Sequence, residues 1–141
     1  MQNRTGARAI AAWAAVAAAL ASTSVAAEGI DGKRDVVCAV MDVVACLEEA
    51  DCLQGRASSF ELPEFIILDA KAKVIRPAYE GGEKAVSPVK NVERNGTHLI
   101  LQGVENGRGW DIAIDTESGK MRAASVGDAV SFLAFGSCTA L

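Results

Sequence analysis

Four cysteines carry the residue type and spacing that bear most directly on chemistry in this 141-residue chain. Cys38, Cys46 and Cys52 fall within "CAVMDVVACLEEADC", and Cys138 lies three residues before the C-terminal Leu141. Thiolates bind zinc when the ligands are close and convergent, as in a Cys-x2-4-Cys pair. Here the spacings are Cys-x7-Cys and Cys-x5-Cys, and the single histidine, His98, lies far along the chain. Dithiol redox chemistry calls for Cys-x-x-Cys and haem attachment for Cys-x-x-Cys-His; neither occurs. No metal and no cofactor are expected. The four thiols are expected to form two disulfides, provided that the chain reaches an oxidising compartment.

The first residues supply that condition. "MQNRTGARA" is basic through Arg4 and Arg8, "IAAWAAVAAAL" (Ile10 to Leu20) is an apolar run, and "ASTSVAA" offers small residues for cleavage. A charged start, a short apolar centre and a small-residue exit define a secretory signal peptide. The run is shorter than the roughly 20 residues that a membrane span needs. The expected division is a signal peptide over residues 1–27 and one domain over 28–141, periplasmic or secreted. Cleavage after Ala27 removes two arginines and no acid, so 12 basic and 18 acidic side chains leave a net charge of −6. Such a balance gives no footprint for nucleic acid or an anionic membrane. It suits a basic protein partner.

Other chemistry is sparse. A hydrolase triad needs a base, and His98 alternates with Leu99 and Leu101 in "THLILQ" with no motif around it. Phosphate loops, dinucleotide fingerprints and Gly-x-Ser-x-Gly are absent from the sequence. Glu48, Glu49 and Asp51 lack the ligand spacing of a calcium loop and read as a solvated turn. Trp110 reads as core or barrel rim, facing the same way as Ile112 and Ile114. A non-enzyme is expected.

Geometry narrows the three pairings open to four cysteines. Residues 38 and 46 stand ~27 Å apart along a strand or ~12 Å along a helix. A disulfide needs Cα atoms within about 7 Å. Cys38–Cys46 is therefore excluded if the stretch is one regular element. Cys46–Cys52 with Cys38–Cys138 is expected, with Cys38–Cys52 and Cys46–Cys138 as the alternative. On the chain-entropy account the long loop contributes up to ~4.7 kcal/mol and the short loop roughly 2 kcal/mol.

The elements that must place these residues read mostly as strands. "AEGIDGKRD" is polar and expected to fray. Over residues 36–47, Val36, Val40, Val44 and Leu47 fit a helical stripe, but the density of β-branched residues favours a strand. Residues 47–63 are expected to be irregular, with a short helical turn between Leu47 and Leu53. "EFIILD" and "KVIRPA" form a hairpin, and "YEGGEKAVSP" is a loop. "VKNVER" and "THLILQG" flank Asn95-Gly96, and Asn106-Gly107 precedes "GWDIAID"; Asn-Gly favours hairpin turns because both central positions take positive φ. "KMRAASV" and "AVSFLAFGSC" follow, the last with apolar side chains on both faces and so expected to be covered on both. The expected class is mainly β: a small antiparallel up-and-down barrel or sandwich with disulfides tying the N- and C-terminal segments.

"LPEFIILDAKAKVI", "LILQGVENGRGWDIAIDTESGKM" and "FLAFGSC" resemble a group of small exported proteobacterial proteins without an assigned function. That resemblance implies export and the β architecture. "SGKMR" before "VSFLAFG" is also similar to the Ser-Gly-x-x-Tyr loop of small periplasmic barrels that inhibit C-type lysozyme. In that family the loop serine and a basic residue enter the lysozyme cleft. The similarity implies an interaction loop of Ser118, Gly119, Lys120 and Arg122, with Arg122 standing where the family has tyrosine. A plain hairpin turn also accounts for Ser118-Gly119. Two functions are expected: a non-catalytic exported binding or structural module, whose partner is an unknown protein or small ligand, or a protein inhibitor of an enzyme such as C-type lysozyme.

Overall fold

The computed structural model describes residues 29–49 and 51–141. The expected signal peptide, residues 1–27, lies outside them. Nine strands follow one another: β1 (Val36–Leu47), β2 (Leu53–Gly55), β3 (Phe65–Asp69), β4 (Val74–Pro77), β5 (Ser87–Asn95), β6 (His98–Glu105), β7 (Arg108–Asp115), β8 (Lys120–Val126) and β9 (Val130–Ala140). All pairings are antiparallel, each strand from β3 to β9 beside the next, and β1 joins β3 on one edge and β9 on the other. Eight strands therefore close into a barrel. The short β2 continues the β3 edge, pairing with Val43–Ala45 of β1. We call the end where β1 begins the lower end and the end where it finishes the upper end.

Period-two alternation decides what fills the barrel. Leu99 and Leu101 of β6, Ile112 and Ile114 of β7 and Met121 of β8 point inward and are buried. Each fully buried aliphatic side chain contributes about 1.5–3 kcal/mol. Val36, Cys38, Leu68, Ile75, Val89 and Cys138 complete this core.

β1 is a strand, with a bulge that explains its mixed pattern. Val40 pairs with Gly136 and Asp42 with Phe135, so Met41 is the extra residue. A bulge shifts the side-chain phase by one. Val36 and Cys38 are buried before it, and Val43 and Ala45 after it. Gly136 lies so close to the Ala39 carbonyl and Met121 that a Cβ there would overlap them.

Both disulfides of the expected pairing are present. Cys38 and Cys138 are direct cross-strand partners, with Cα atoms 4.0 Å apart across a sequence separation of 100. The bond seals the seam where the last strand meets the first. Cys46–Cys52 spans 6 residues and ties the end of β1 to the start of β2.

Four expectations need correction. The segment after Gly29 does not fray: Ile30 is buried at the lower end, and Arg94 Nη2 donates to its carbonyl at 3.0 Å. Asp31 Oδ1 accepts the Lys33 and Arg34 amides and holds the segment's bend. The helical turn between β1 and β3 is a 3-10 turn at Ala57–Phe60, beyond the Leu47–Leu53 stretch, because the short disulfide loop commits Leu53 to β2. In the β5–β6 hairpin Asn95 pairs with His98, so the central residues are Gly96 and Thr97, with positive φ at Gly96 alone. That is the pattern of a turn with glycine at its first central position. At β6–β7, Asn106 (φ 50°) and Gly107 (φ 74°) do form the expected turn. Finally, β9 is covered on its inner face only. Leu133 and Phe135 lie on the outside, 47% and 41% exposed, because the barrel has no second layer there.

Candidate ligand cavity at the upper end

The inward positions change size along the barrel axis. In the lower half they carry Leu99, Leu101, Ile114 and Met121; in the upper half of β8 and β9 they carry Ala123, Ser125 and Ala134, with Phe132 of β9 inward nearer the rim. An eight-stranded barrel is just wide enough either to be filled by side chains or to hold one small ligand. Small residues on two neighbouring strands therefore leave space. The upper end holds a cavity of about 610 Å³, within the range of about 300–1,000 Å³ for small-molecule sites. Ile75 and Ile112 line it and belong to the core below, and Phe60, Glu61 and Leu62 reach over it.

The residues over the cavity come from the connection between β1 and β3. Its 3-10 turn ends at Glu61, whose positive φ of 56° reverses the chain, and the Leu62 amide donates to Ala57 O at 3.0 Å. Phe60 meets Phe132 edge to face, with ring centroids 6.3 Å apart. Cys46–Cys52 fixes the start of this connection.

Arg108, Glu105, Ser87 and Ser125 stand at the mouth, with Glu61, Asn106 and Asp111 on the same lining. Arg108 continues the inward row of β7 (Trp110, Ile112, Ile114) to the rim. Its Cζ lies 5.4 Å from the Phe132 ring centroid, and Nη1 donates to Ser125 Oγ (3.4 Å) and to the Val130 carbonyl (3.3 Å). Gly127 lies against the guanidinium; a Cβ there would stand 3.2 Å from Arg108 Cζ. Glu105 is the direct cross-strand partner of Arg108, yet its carboxylate accepts a hydrogen bond from the Ser87 hydroxyl. The two side chains thus diverge, the cation toward β8 and β9 and the carboxylate toward β5. Trp110 lies over Gly103, where any Cβ would overlap the indole. Its Nε1 is buried with no hydrogen-bond partner among the described residues, an arrangement that costs about 1–3 kcal/mol.

The loop singled out by resemblance lies at the other end. Ser118, Lys120 and Arg122 are exposed near the lower rim, and Gly119 is buried with φ 72°. The turn is braced from two sides. Asp115 Oδ1 accepts the Glu117 and Ser118 amides at 3.0 and 2.8 Å, and Cys138 N donates to Gly119 O at 2.8 Å. Hydrogen bonding from Ser118, foremost its backbone amide, holds the Asp115 carboxyl below its ordinary value of 3.8. Ser118 to Lys120 sit together at the lower turn, away from the cavity, and Arg122 faces outward from β8 next to the cavity-lining Ala123. His98 is exposed, with Thr97 Oγ1 3.4 Å from its Nδ1. Glu48, Glu49 and Asp51 are exposed around the short disulfide, and among the described residues no group of three His, Cys, Asp or Glu converges as metal ligands would. No helix of the described residues is long and apolar enough to cross a membrane.

Reading the sequence found Trp110 and its direction but missed Arg108, Glu105, Ser87 and Phe132. The signal was present in "GRGWDIAID": extending the inward phase back by two residues puts an arginine on the apolar face. Fold and cavity together define a small closed antiparallel β-barrel with a cavity open at its upper end. No protein-family model, no curated protein and no solved structure matches the chain.

Proposed function

We propose that this chain is an exported, non-catalytic binding module that takes one small ligand with an apolar body in the upper mouth of the barrel. The observation that carries this reading is the cavity of about 610 Å³, where Ala123, Ser125 and Ala134 leave space above the core. Apolar walls with a few convergent polar groups are the composition of small-molecule sites. The two disulfides fit an oxidising exported compartment. The test is titration with a neutral apolar fluorophore, N-phenyl-1-naphthylamine. The protein should bind it near one to one. Ala134→Leu, which fills the cavity from β9, should weaken binding at least tenfold without lowering the melting temperature. Equal binding by both proteins would refute the site.

A second reading rests on the braced Ser118 turn. A rigid exposed tip with Lys120 and Arg122 beside it is a surface that can enter a cleft lined with carboxylates, and an acidic protein is drawn to a basic enzyme. Under this reading the chain inhibits a C-type lysozyme, and Ser118→Arg abolishes the inhibition. Full lysozyme activity at high molar excess of the protein would end it.

A further inference from the structure

Glu105 and Arg108 stand directly opposite each other across the β6–β7 hairpin, both at the mouth, and opposite charges in that register ordinarily pair. Here they point apart. The Arg108 guanidinium lies over the Phe132 ring with Nη1 on Ser125 and Val130, and Glu105 is drawn to Ser87. The hydrogen bonds that Arg108 makes to described residues use Nη1 only, so Nε and Nη2 remain for another acceptor. Glu105 uses one acceptor position of a carboxylate that has about four. The mouth therefore presents a cation and an anion that diverge from one hairpin, the cation toward β8 and β9 and the anion toward β5, beside an apolar cavity.

We propose that the ligand is a small apolar zwitterion, with its carboxylate on Arg108, its ammonium on Glu105 and its apolar body in the cavity below. This rests on the reading of the cavity as a ligand site. A simple anion would meet Arg108 but would also face Glu105, with Glu61 and Asp111 close by on the same lining. A simple cation would meet Glu105 against the fixed guanidinium. A zwitterion satisfies both, and charge-assisted hydrogen bonds at a half-buried site are about twice as strong as neutral ones. Free amino acids with large apolar side chains and short apolar peptides share this chemistry. The aromatic pair Phe60–Phe132 beside the guanidinium suits a flat or branched body.

The experiment is calorimetric titration of the whole protein with two zwitterions, L-tryptophan and the dipeptide Leu-Phe. Each is compared with its N-acetylated form, which removes the cation, and its C-amidated form, which removes the anion. At least one zwitterion should bind roughly tenfold more tightly than both of its capped forms. Which one does so distinguishes an amino acid from a peptide. Arg108→Gln should abolish the preference over the amide, and Glu105→Gln the preference over the acetylated form. A melting curve for each variant shows that it is folded. Should either variant unfold, the capped ligands on the unaltered protein still decide. Equal binding by free and capped forms, or no binding of any of them, would overturn the zwitterion inference. In that event, retained binding of N-phenyl-1-naphthylamine leaves the cavity reading standing, and its loss removes both.

Discussion

The two ends of the barrel are built on opposite principles. At the lower end large aliphatic side chains meet, Ile30 folds in beneath them and a disulfide joins the terminal strands. At the upper end Ala123, Ser125 and Ala134 leave space below Phe132, charged groups stand at the rim and the cover is a short 3-10 turn. The lower end carries the stability, which leaves the upper end free to hold space and imperfectly satisfied polar groups. Trp110 Nε1, buried without a partner among the described residues, belongs to the upper half. A domain of this size has only a modest net stability to draw on, so one end must be strongly held if the other is to stay open.

This contrast can be broken most severely at the long disulfide. Cys38→Ala with Cys138→Ala should lower unfolding stability by about 4–5 kcal/mol on the chain-entropy account, with the denaturant midpoint falling for the whole barrel. Next is the lower core: Leu101→Ala should cost about 2–5 kcal/mol. Calorimetry should show it far more damaging than Ala134→Leu at the upper end, where space exists. A smaller effect follows removal of Cys46–Cys52 by paired serine substitutions, roughly 2 kcal/mol. Amide exchange should rise around Val43–Leu47 and Leu53–Gly55 while Ile114 stays protected. If Ile114 exchanged equally fast, the two ends would not be separable.

The smallest effect concerns pH. The folded-state pKa of Asp115 is depressed, so its carboxylate stabilises the lower turn above the ordinary value of 3.8 and loses that contribution as pH falls through the folded value. The stability gap between the protein and Asp115→Ala should be largest near neutral pH and narrow below about pH 3.8. A gap independent of pH would assign the residue's effect to packing alone.

Much of the lower end was legible in the sequence, because short-range signals specify it. Alternation in "GWDIAID" fixed β7 and cysteine geometry favoured the seam, while Asn106-Gly107 fixed a turn at the opposite, upper end. The bulge at Met41 was not legible: it moves the inward row from Val36, Cys38 and Val40 to Val43 and Ala45, a break that no single period describes. Ile30 looked like part of a polar tail because a single apolar residue has no period; only the closed barrel gives it a place to dock. The cavity was the least legible feature. It arises from three small residues, Ala123, Ser125 and Ala134, whose significance depends on their being neighbours across β8 and β9. Arg108 and Glu105 carry no motif in the sequence, and only the side-chain directions at the mouth set them apart.

The claim that the upper mouth is the binding site is tested most directly by nuclear magnetic resonance during titration with N-phenyl-1-naphthylamine. The Trp110 indole N–H, assigned by its loss in Trp110→Phe, should shift together with the amides of Arg108, Ser125 and Phe132, while Leu99, Ile114 and Ser118 stay still. Shifts centred on the Ser118 turn or the outer face of β9, with the Trp110 indole unmoved, would contradict it.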